Sequence, residues 1–113
     1  MKKKTLGEAN PTNRGFQRIE FKDEYGLGCS LQISSATGSY LWLGLNDASP
    51  QIMRLDAGRL GLAGGTNYAD GWMTYPVPKE VLMHTRMHLD RDTAEALINH
   101  LQAWLKNDSL EVK

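Results

Sequence analysis

His84, Arg86 and His88 stand at alternate positions in VLMHTRMHL, residues 81–89. On an extended strand, side chains two residues apart share a face at about 6.5–7 Å. Three such heads would form a cationic row. The arginine fork grips a carboxylate or phosphate at two points. The chemistry this pattern suits is therefore recognition of an anion. Metal binding is disfavoured, because His84 and His88 would lie about 13 Å apart, too far to share one ion. A two-histidine phosphoesterase would need paired H-x-T/S motifs, and the three histidines do not supply them. Serine-histidine-aspartate catalysis has raw material but no nucleophile-elbow motif. No catalytic residue, metal or cofactor is expected.

Cys29, the one cysteine, raises the other chemical question. Within LGCSLQIS it shares parity with Leu27, Leu31 and Ile33, so it is expected in the core. A reactive thiol needs an electropositive, partly exposed setting, and an apolar face gives the opposite. Opposite in parity stand Ser30, Gln32 and Ser34. In the next run, YLWLGL, Tyr40 and Trp42 take the face away from Leu41, Leu43 and Leu45. The candidate site combines Gln32, Tyr40 and Trp42 with His84, Arg86 and His88. It would be a sheet face of donors, cations and aromatic planes for an anion, a nucleotide base or an acidic loop. A Gly-rich loop over residues 61–75 is placed to cover it. Because polar residues fill the outward face of any half-buried sheet, the same pattern also suits plain solvated surface.

The elements that must position these residues follow from periodicity. GFQRIEFK alternates Ile19 and Phe21 with Arg18, Glu20 and Lys22, and DEYG supplies turn chemistry before LGCSLQIS, so a hairpin is predicted. YLWLGL gives a third strand and VLMHTRMHL a fourth. Asp90 has the chemistry of an N-cap, followed by Asp92 in the first turn. Ala94, Leu97, Ile98, Leu101, Trp104 and Leu105 then recur at helical spacing to about Asn107. Between residues 46 and 79 the pattern loosens, with IMRLDAGRLGL as a short helical turn, GLAGG as flexible backbone, and Pro76 and Pro78 marking an edge or loop. Asp23, Glu24, Asp47, Asp56 and Asp70 lie in predicted turns and are explained by turn propensity.

The fold class expected is α+β: an antiparallel sheet of about four strands with an amphipathic C-terminal helix packed on one face, burying Leu97, Leu101 and Trp104. Residues 1–14 are expected as a flexible basic arm, 15–107 as a single domain and 108–113 as a tail. The arm carries four of the 13 basic residues and one of the 13 acidic ones, leaving the body at net −3. Such a body lacks the dense basic field that general nucleic-acid binding draws on. One cysteine suits a reducing compartment, and no apolar run follows the early lysines or is long enough to span a bilayer. A cytoplasmic protein without membrane contact is expected. Tyr40, Trp42 and Leu82, placed outward, point to a homodimer as an option.

Taken together, RGFQRIEFKDEYGLGCSLQISSA, YLWLGLNDASPQIM and TRMHLDRDTAEALINHLQAWL resemble short proteins encoded by phages and prophages, with similar CSLQ-S-S, WLG and RMHL blocks in the same order. The resemblance spans most of residues 14–105. It implies a setting rather than a reaction: a stoichiometric binder of a host protein or small anionic ligand in the host cytoplasm, with antagonism of host defence as the analogous role. The alternative is a small hydrolase or transferase using histidines of the 84–88 stretch.

Overall fold

Two alternating runs with turn chemistry between them close a hairpin first. The structure, a computed structural model, describes residues 3–68 and 71–113; Lys2 of the arm and the Asp70 turn lie outside the described residues. Strand β2 (Gln17–Lys22) and strand β3 (Gly28–Ile33) pair antiparallel, with Arg18 opposite Gln32 and Lys22 opposite Gly28. The turn is fastened by Asp23, whose backbone N–H donates to Leu27 O at 3.0 Å and whose carboxylate accepts from the N–H groups of Tyr25 and Leu27 at 2.9 Å each. Gly26 takes the left-handed conformation that the turn requires, at φ 84°.

The main sheet has five strands. Strand β4 (Tyr40–Leu45) lies between β3 and β7 (Arg86–Asp90), and both neighbours run antiparallel to it. The fifth strand, β1 (Asn10–Pro11), comes from the segment expected to be a free arm and pairs with Gln17 and Arg18. A Thr12 turn brings it back, with N–H groups of Thr12 and Gly15 bonded to Phe16 O and Thr12 O, each at 2.8 Å. The arm is therefore tied down at its C-terminal end.

Helix α2 (Arg91–Asn107) follows β7 directly. Asp90 caps it by accepting the Thr93 N–H at 2.8 Å, and Asp108 ends it in a left-handed conformation with its N–H on Trp104 O. The tail then returns along the helix, where His100 Nδ1 lies 2.7 Å from Leu110 O. This is an α+β fold.

Two expectations are corrected. Residues 81–85 do not extend β7. The partner strand β4 ends at Leu45, which bonds Thr85 O, and Asn46 then turns to Gly28 O, so β4 has no residue left for 81–84 to pair with. The helix stripe is not buried: Leu97 is half-buried and Leu101 and Trp104 are exposed, while Ala103 is buried. The chain divides into one unit of 1–46 with 85–113 and another of 47–84.

The second unit pairs strand β5 (Gln51–Met53) with strand β6 (Trp72–Thr74), joined through helix α1 (Arg54–Arg59). GLAGG is more than loose backbone here. Gly58 and Gly65 approach so closely that a Cβ on either would collide with main-chain atoms of the facing segment.

Candidate functional site

Strand register decides which side chains share a face. Across β2, β3, β4 and β7 one row runs Arg18, Gln32, Trp42, His88, and the next runs Glu20, Ser30, Gly44, Arg86. The opposite face carries the rows Ile19, Leu31, Leu43, Met87 and Ile33, Leu41, Leu89. Cys29 sits on that apolar face at 6% exposure, its Sγ 3.5 Å from Leu27 O.

On the polar face two guanidinium groups end on one atom. Arg18 Nη1 donates to Gln32 Oε1 at 3.1 Å and Arg86 Nη1 donates to the same oxygen at 2.9 Å. Arg18 Nη2 also donates to Glu20 Oε1 and Asn46 Oδ1, both at 3.1 Å. Its Nε–H is buried and has no partner among the described residues. Arg86 adds a longer bond from Nη1 to Ser30 Oγ at 3.4 Å. Burial, and secondarily the charge of Arg18, lower the Arg86 pKa from its ordinary value. Both causes disfavour concentrated positive charge, which an oxyanion would relieve.

Gly44 makes the reach of Arg86 possible. It lies between Ser30 and Arg86 in the row, so the arginine passes over a residue without a side chain. Its φ is 149°, and a Cβ there would stand 2.6 Å from Thr85 O and 2.8 Å from Arg86 Cα. Beneath the arginine, Ser30 is fully buried, at 0% exposure.

Aromatic rings border the cationic pair. Arg86 Cζ lies 5.3 Å from the Trp42 ring centroid. The His88 ring is 4.1 Å from Trp42 and 4.9 Å from Tyr40, stacked on the latter at an interplanar angle of 27°. His88 Nε2 is 2.9 Å from Ser34 Oγ, and Ser34 also accepts the Ala36 N–H. The imidazole is thus held in place.

Of the expected site residues, Gln32, Tyr40, Trp42, Arg86 and His88 are on one face, in contact through these bonds and stacks. His84 precedes β7, is exposed, and belongs to the 47–84 unit. Ser30, placed on the polar face by its parity, joins the array, and Arg18 and Asn46, not expected in the site, complete it. For Arg18 a signal existed. A hairpin closed between Asp23 and Leu27 sets 22 opposite 28 and hence 18 opposite 32.

Among the described residues, no group of three His, Cys, Asp or Glu could hold a metal ion, and no helix is long and apolar enough to cross a membrane. Comparison with models of protein families, with curated proteins and with solved structures finds no match to this chain.

Proposed function

We propose that this chain is a non-enzymatic binding protein, of phage or prophage origin, that captures a small anionic ligand on the polar face of its main sheet. The observation that carries the reading is the convergence of Arg18 and Arg86 on the neutral oxygen of Gln32. Two like charges brought together repel, and a neutral amide offsets that repulsion only in part. A phosphate or carboxylate placed against the pair replaces a shared, single-atom contact with charge-assisted bonds. Arg86 has the geometry to receive it, because both its bonds run through Nη1. Trp42 and the Tyr40–His88 stack offer flat apolar surface beside the charge, so an anion joined to a planar group fits better than a bare ion.

Capture without turnover suits an antagonist of host defence, which removes a ligand by occupying it. One contact favours the alternative reading of a small hydrolase: Ser34 Oγ and His88 Nε2 are at the separation of a nucleophile and its base. Against it, Ser34 is buried at the foot of the sheet and its oxygen is already engaged by Ala36. Stoichiometry separates the two. The purified chain, incubated with host lysate and reisolated, should carry one anionic small molecule per chain by native mass spectrometry. A lysate component consumed in large molar excess over the chain would favour the hydrolase instead.

A further inference from the structure

The apolar face of the main sheet and the apolar stripe of α2 are both made by the same unit, yet they do not cover each other. Helix α2 starts at Arg91 with no residue between it and β7, and its extended cap, Asp90, fixes its direction of departure. Only its first turns meet the sheet. There Ala94 and Ile98 border a groove of about 500 Å³ with Ile33, Leu41 and Leu89. Past half-buried Leu97 the stripe stays open, with Ile98 at 53%, Leu101 at 46%, Trp104 at 52% and Leu105 at 77% exposure. On the sheet, Met87 ends the row Ile19, Leu31, Leu43, Met87 and is 55% exposed. The helix end is open, and the sheet face is open at Met87 and Ile33, its residues Ile19, Leu31, Leu41, Leu43 and Leu89 being half-buried.

We infer that a second copy of this chain supplies the missing cover, the C-terminal half of each α2 lying across the apolar sheet face of the other. The complement to each open surface is present on the chain itself, in equal number, so a two-fold axis satisfies both at once. The lengths agree. Ten residues of helix from Ile98 to Asn107 extend about 15 Å, and the three spacings from β7 to β2 span about 14 Å. The area agrees as well. The exposed parts of Ile33, Met87, Ile98, Leu101, Trp104 and Leu105 come to something on the order of 700 Å², against the roughly 800 Å² per partner of a standard interface. The arrangement uses the face opposite Arg18 and Arg86, so each assembly would present two open polar faces.

Sedimentation of the full chain, alone and as Leu105→Glu and Met87→Glu variants, tests this. Both side chains are exposed in the isolated chain, and circular dichroism checks that each variant is folded; if Met87→Glu is not, Met87→Gln is read in its place. The wild type should sediment at twice the 12.6 kDa of the chain. Each variant should weaken self-association at least about 30-fold, as loss of a central apolar contact does. A monomeric wild type would overturn the inference. So would a dimer indifferent to both substitutions, as pairing along the free edge of β7 would be, or one sensitive to Leu105→Glu alone, as helix-on-helix pairing would be.

Discussion

Arg18 and Arg86 come from strands separated by two others, and their Nη1 atoms meet at Gln32 Oε1, at 3.1 and 2.9 Å. Among the described residues only one carboxylate, Glu20, touches the pair, and it touches Arg18 alone, as an ion pair with Glu20 two-thirds exposed. The charge of the pair is thus only partly offset within the protein.

Glu20 should therefore compete with an incoming anion. Replacing it with Gln keeps the shape and removes the charge. The Glu20→Gln variant is expected to bind phosphate-bearing probes more tightly than the wild type, by a few-fold, since exposed ion pairs contribute only about 0.2–1 kcal/mol. Calorimetric titration at low salt measures it, and the gain should shrink as ionic strength rises.

Gly44 should tolerate no side chain. Gly44→Ala is expected to lower stability by about 1–3 kcal/mol, from backbone strain and the clash with Thr85 and Arg86. Because the β4–β7 pairing would have to shift, the same variant should also lose the Arg86–Trp42 contact, visible as a change in Trp42 fluorescence. Chemical denaturation gives the first quantity.

Asp90 couples acid stability to the helix. The Thr93 hydrogen bonds hold its pKa below the ordinary aspartate value. A carboxyl with a depressed folded-state pKa contributes stability above its unfolded value and loses it as pH falls through the folded one. The contribution of Asp90 should be complete at neutral pH and fade below the ordinary aspartate pKa, near 3.9. In Asp90→Asn the cap acceptor remains without the titration. Its melting temperature, compared with wild type across pH 7 to pH 2, should lack the component that Asp90 supplies.

Cys29 should be slow toward thiol reagents in the native state, given its 6% exposure on the apolar face. Fast labelling under native conditions, followed by mass spectrometry, would contradict its placement.

What was legible in the sequence was local. Alternation placed Gln32, Trp42, Arg86 and His88 on one face and Cys29 on the other, because a period of two needs no knowledge of partners. The register of the β2–β3 hairpin was implicit in the Asp23–Leu27 turn, and with it the partnership of Arg18 and Gln32. The end of β7 was not legible. VLMHTRMHL alternates throughout, but pairing stops where β4 stops, a limit set by residues some forty positions earlier. Helical spacing likewise showed that α2 has an apolar stripe, and could not show what the stripe faces. Leu101 and Trp104 are exposed because the absence of a linker after Asp90 fixes the direction in which the helix departs.

Titration of the folded chain with inorganic phosphate and pyrophosphate, following the arginine side-chain and Trp42 indole signals by NMR, measures anion capture at Arg18 and Arg86. It is repeated on Arg18→Met and Arg86→Met. Saturable shifts of the Arg86, Arg18 and Trp42 signals are expected at one equivalent per chain. Each substitution should weaken binding by about 1.5–3 kcal/mol, the worth of a charge-assisted bond, or roughly 10- to 150-fold in Kd. Shifts that fail to saturate, or an affinity unchanged in both variants, would contradict capture at this pair.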